Sequence, residues 1–134
     1  MKAWRNWRHG TVLLPLLLVQ ACVRQPVYEG SESLARVTTR GAFVTVDDSE
    51  AKSTREIILP PGQHTLLVRH ATYRVIYLCQ FEFTATAGTS YEIIYKPNPQ
   101  PLTLYRWHRS NALWALRRDP VAPTECSEEP RQPG

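Results

Sequence analysis

Long apolar runs are scarce in this chain of 134 residues. Thr11 to Val19 (TVLLPLLLV) holds nine almost purely apolar residues and includes Pro15, against the ~20 needed to cross a bilayer as a helix. A permanent spanning helix is therefore not expected. No later stretch combines helical periodicity with capping residues, which argues against a helical bundle. The strings that mark common catalysts are missing too: there is no nucleophile elbow, no phosphate-binding glycine loop and no zinc-protease motif. Cysteine is limited to Cys22, Cys79 and Cys126, too widely spaced for a redox C-x-x-C pair. Neither enzymatic chemistry nor a cofactor is expected.

What is present begins with Met1 to Gly10, which carries Lys2, Arg5 and Arg8 and no acidic residue. The apolar run follows, and then Gln20-Ala21-Cys22. A basic region, a short apolar region and a small residue before a cut are the parts of a secretory leader. Val19-Gln20-Ala21-Cys22 resembles the lipobox of bacterial lipoproteins, with an aliphatic residue three before the cysteine and a small one just before it. Gln20 departs from the smaller residue usual at its position. The resemblance implies diacylglyceryl transfer to the Cys22 thiol, cleavage between Ala21 and Cys22, and acylation of the new amino group. Ordinary secretory cleavage at the same bond is the alternative. Val23 follows the cysteine, where an aspartate resembles the inner-membrane retention signal of enteric bacteria; this points to the outer membrane, facing the periplasm.

With Cys22 lipidated, Cys79 and Cys126 remain as an even pair suited to an oxidising compartment. Bridging them closes a loop for which the chain-entropy model gives roughly 4 kcal/mol. Two unpaired thiols are the alternative. Loss of the leader also removes three basic residues, leaving thirteen basic against twelve acidic. The high pI is thus partly a property of the leader, and export separates the chain from nucleic acid. About 113 residues remain, room for one core.

Residues 1–21 read as leader, 22–33 as a lipidated tether, 34–119 as a β domain and 120–134 as an irregular tail rich in Pro and Glu, tied back by the disulfide. Within the domain Ala42, Val44 and Val46 alternate with Phe43 and Thr45, and His64, Leu66 and Val68 with Thr65, Leu67 and Arg69. Tyr73, Val75, Tyr77, Cys79, Phe81, Phe83 and Ala85 share one parity over thirteen residues. That exceeds an ordinary strand, so a bend or bulge near Cys79, or two strands joined there, is expected. Leu102 to Trp107 and Ala112 to Arg117 read as a last hairpin around Ser110-Asn111. Short strands punctuated by turns predict an all-β fold, a small antiparallel sandwich or partial barrel.

A second resemblance lies in Val44-Thr45-Val46-Asp47, Leu59-Pro60-Pro61-Gly62-Gln63-His64-Thr65-Leu66, Phe81-Glu82-Phe83-Thr84-Ala85 and Ala87-Gly88-Thr89-Ser90-Tyr91. It is similar to envelope β-sandwich domains of the PEGA and transthyretin-like kind, in which a strand ending in Asp precedes a PG-x-H turn. It covers about half of the mature chain, and its motifs are turn chemistry. Such domains imply extracytoplasmic interaction roles.

His64, His70 and His108 lack ligand spacing, and the first two, six strand residues apart, lie ~20 Å from one another; no metal site is expected. Tyr105, Arg106, Trp107, Arg109, Trp114, Arg117 and Arg118 interleave aromatic and arginine residues in the last hairpin. Arginine forks bind phosphate and carboxylate, and tryptophan favours a membrane interface. These seven form a candidate surface for anionic lipid headgroups or an envelope protein partner; the bland alternative places Trp107 and Trp114 in the core among solvated arginines. The expected role is a non-enzymatic, membrane-anchored accessory. A binding module for a small ligand, glycan or peptidoglycan is the rival reading.

Overall fold

The computed structural model describes residues 33–111 and 113–132. The expected leader, the expected cleavage and lipidation site at Ala21 and Cys22, and all of the expected tether except Ser33 lie outside the described residues. Among the described residues ten strands form two five-stranded sheets that pack as a sandwich. The first sheet has the order β4 (Glu56–Leu59), β1 (Ala35–Thr39), β7 (Ser90–Tyr95), β8 (Leu102–Arg109), β9 (Ala115–Val121). The second has the order β10 (Glu125–Pro130), β6 (Val75–Ala85), β5 (Gly62–Ala71), β2 (Ala42–Val46), β3 (Ser49–Glu50). Every pairing is antiparallel except β1 with β7, which run parallel with Val37 beside Tyr91. The expected all-β sandwich is thus present, with this one parallel pair inside an otherwise antiparallel arrangement. β1 leaves its sheet for the other after Thr39, so β7 is reached from it only by a long crossover.

Period-two alternation decides which side chains meet. The first sheet contributes Ala35, Val37, Ile57, Leu59, Tyr91, Ile93, Leu102 and Leu104 to the core, and the second Phe43, Leu66, Val68, Cys79, Phe81, Phe83 and Ala85. Burying a large apolar side chain contributes about 1.5–3 kcal/mol, so this layer carries most of the stability. Phe83 meets Tyr91 edge-on across the sandwich at 5.1 Å between ring centres.

The connections follow from local chemistry. Val46 opposite Ser49 leaves Asp47-Asp48 as a two-residue loop, and both adopt positive φ, 50° and 64°, as a type I′ hairpin demands. Gly41, where β1 turns into β2, lies so close to Arg69 that a Cβ there would overlap the Arg69 carbonyl oxygen. Thr72 caps the β5–β6 turn by accepting from the Val75 amide at 3.0 Å.

Two expectations are overturned. β6 pairs with β5 in unbroken register from Ala71 opposite Ile76 to Gly62 opposite Ala85, one strand with no bulge at Cys79. A ten-residue partner gives it a full ladder, so its length needs no interruption. The segment expected to be an irregular tail also contains structure: β9 runs through Pro120 to Val121, and Glu125–Pro130 form edge strand β10 against β6. Pro130 ends an edge strand, where a missing amide hydrogen is tolerated. A disulfide joins Cys79 to its directly opposite neighbour Cys126, so the tail is tied back, as a strand.

Candidate functional site

The β8–β9 ribbon carries all seven predicted surface residues, and its alternation divides them. Glu92 lies opposite Tyr105, and Trp107 opposite Arg117. Tyr105, Trp107, Arg109 and Arg117 therefore share the outer face of the first sheet. Arg106 and Arg118 are paired on the other face, and Trp114 lies in the connecting turn. The hairpin thus does not present one seven-residue strip.

On the outer face the Arg117 guanidinium lies 4.7 Å from the centre of the Trp107 ring, and its Nε donates to Glu92 at 3.3 Å. The Lys96 ammonium stands 5.6 Å from the Tyr105 ring. Such cation–π contacts contribute about 0.5–1 kcal/mol at exposed positions. On the reverse face Arg106 Nε donates to Asp119 at 2.7 Å. Asp119 has a φ of 53° and sits with Pro120 where two residues of β9 oppose one of β8. This is a bulge, which re-aims a strand and leaves room for a proline.

The turn is built by Asn111, whose Oδ1 accepts from the backbone N–H groups of Leu113 at 2.9 Å and Trp114 at 3.0 Å. Asn side chains favour turns by this local bonding. The result holds Leu113 86% exposed, Trp114 67% and Leu116 47%. Trp107 is half-buried and Trp114 lies outside the core.

A second cluster lies at Asp47, one of the residues in the sandwich-like motif. The Asp47 carboxylate accepts from the Thr65 amide at 2.8 Å and lies 2.7 Å from His64 Nδ1. His64 is buried and its Nε2 donates to the Pro60 carbonyl at 2.7 Å. Three chain segments are fastened there. Partial desolvation pushes the Asp47 pKa up, but the Thr65 and His64 contacts outweigh it and leave the carboxyl below 3.8. The motif signals these residues, though spacing alone does not reveal the bond. His70 stacks on Tyr95 at 4.7 Å, and burial pulls its pKa below 6.5. His108 lies on β8, far in sequence from both. Among the described residues no group of three or more His, Cys, Asp or Glu is placed to hold a metal ion.

A groove of about 460 Å³ lies between edge strands β3 and β4, floored by Val46, Ala51, Ile57 and Leu59 and rimmed by Glu50, Lys52 and Glu56. No family model, curated protein or solved structure matches this chain.

Proposed function

We propose that this chain is a non-enzymatic lipoprotein of a bacterial cell envelope. In this reading acyl chains on Cys22 hold it on a membrane, and the β sandwich acts as an interaction or structural accessory. The observation that carries the reading is Val19-Gln20-Ala21-Cys22 behind a basic and then apolar leader. Each buried methylene of an acyl chain contributes about 0.8 kcal/mol, and more than one chain makes attachment stable where a single chain is marginal.

Two further observations support it. The Cys79–Cys126 disulfide suits an oxidising compartment such as the periplasm. The Asp47–His64 contact joins the strand-end aspartate to the histidine of the PG-x-H turn, which agrees with a PEGA-like or transthyretin-like envelope domain. Val23 after the cysteine favours the outer membrane, with the domain in the periplasm.

The test is metabolic labelling with palmitate in a bacterial host, with wild type beside Cys22→Ser. Wild type is expected to take up label and sediment with membranes, and Cys22→Ser to lose both. Unlabelled wild type, or a variant processed and located as before, contradicts the anchor.

The groove between β3 and β4 favours a second reading, a binding module for a small ligand, glycan or peptidoglycan fragment. Its volume of about 460 Å³ falls in the range of ligand sites. Soluble peptidoglycan fragments should then raise the Tm of the wild type, and Ile58→Asp, at an exposed residue lining the groove, should abolish that rise. A Tm indifferent to the fragments removes this reading.

A further inference from the structure

We propose that the tip of the β8–β9 ribbon is a second membrane contact, which seats Leu113, Trp114 and Leu116 in the interface of an anionic bilayer. This rests on the reading of Cys22 as the acylated residue.

The topology carries the argument. β1 and β7 are parallel, with Arg36 beside Ser90, and the Gly88 amide donates to the Leu34 carbonyl at 3.1 Å. β7 and β8 are antiparallel, with Tyr91 opposite Arg106. Counting along this register puts the end of β8, at Arg109, level with Gly88 and Leu34. The ribbon's turn therefore projects from the end of the sandwich at which the chain from Cys22 enters. Eleven residues between the cysteine and Leu34 span at most ~36–40 Å. A membrane anchored through Cys22 is thus within reach of the tip.

The chemistry of the tip fits that surface. Leu113 and Trp114 are exposed on the turn, where the Asn111 side chain accepts from both of their amides, and Leu116 is exposed on β9 next to it. Tryptophan combines an apolar body with a polar N–H and favours the headgroup level. Residues 102–121 contain four arginines and one acid, Asp119, which Arg106 neutralises. Arg109 and Arg118 add positive charge next to the apolar tip, and basic residues near a membrane are drawn to anionic lipid. The acids Asp47 and Asp48 lie on the β2–β3 turn, at the edge of the other sheet that borders β4 and not β9, and Asp47 is engaged by His64.

The test uses the full chain, expressed in a bacterium, extracted and reconstituted into vesicles. One set contains phosphatidylglycerol and phosphatidylcholine, the other phosphatidylcholine alone, both with brominated acyl chains that quench tryptophan on contact. The expected result is a quenched component in the anionic vesicles that disappears in Trp114→Ser. Arg109→Ser and Arg118→Ser should each lower the docked-to-undocked ratio by roughly five-fold, and high salt should do the same to wild type. Equal quenching in wild type and Trp114→Ser overturns the contact, as does equal quenching in both vesicle types. A bound protein partner in place of lipid would give that same overturning result. Intact mass of each preparation reports acylation separately. Acylated protein without tip quenching ends the tip contact alone, and tip quenching without acyl mass ends the anchor alone.

Discussion

Two hairpins in this molecule are built on the same alternation and end in opposite circumstances. β5–β6 pairs ten residues on each strand and turns Leu66, Val68, Cys79, Phe81 and Phe83 into the sandwich. β8–β9 begins with the buried Leu102 and Leu104, but beyond the half-buried Trp107 its side chains emerge into solvent. β5 and β6 lie inside their sheet with a neighbour on each outer side, whereas β9 is the last strand of its own. Period two makes a strand, and the strand's place in the stack decides whether its apolar residues become core or surface. Leu113, Trp114 and Leu116 are therefore available for contact while Phe81 is not.

The contrast can be broken or sharpened by substitution. Phe81→Ala, at a position with no exposure, should lower stability by about 3–5 kcal/mol, read as a fall in the urea midpoint. A loss below about 1 kcal/mol would mean that the inner layer is not the stabilising one. Replacing both Cys79 and Cys126 by Ala should remove a comparable amount, roughly 4 kcal/mol by loop entropy, and release β10; hydrogen exchange of residues 125–130 should then rise ahead of the rest. Gly41→Ala forces a Cβ against the Arg69 carbonyl and should lower the midpoint by about 1–3 kcal/mol.

Acid should act through two identified groups. His70 has its pKa below 6.5 in the folded state, so the unfolded chain binds the proton more readily. Stability from that site is present above pH 6.5 and declines as pH falls towards the folded pKa. Asp47, below 3.8 when folded, contributes above that value and loses its contribution as pH falls through the folded pKa. In a pH series of urea midpoints, His70→Gln should flatten the upper decline and Asp47→Asn the lower. The smallest effect belongs to the ribbon tip: Leu113→Ser and Trp114→Ser should each change stability by no more than about 0.5 kcal/mol. A large loss there would place these side chains in the core after all.

The sandwich was legible because its strands alternate over their whole length and its turns carry Asp, Pro and Gly. β10 was not, since the stretch ECSEEP has neither apolar alternation nor β-branched residues. Its strand character comes from the partner β6 and the bond to Cys79, both non-local. The unbroken β6 was missed for a related reason, because a typical strand length knows nothing of a long partner. Of the candidate surface, sequence supplied the seven residues but not their division between two faces and a turn. The bulge at Asp119-Pro120 and the register with β7 set that division. Leu113 and Leu116, the most telling additions, read as ordinary apolar residues of a strand until their exposure is known.

The proposed anchor at Cys22 is the premise from which membrane, compartment and partner surface all follow. Intact mass of the protein extracted from bacterial membranes, with and without reductant, tests it most directly. The account predicts a chain that begins at Cys22 and carries acyl mass, gaining one hydrogen at Cys79 and one at Cys126 on reduction. A chain that still contains Met1 to Ala21, or one that begins at Cys22 without acyl mass, would contradict it.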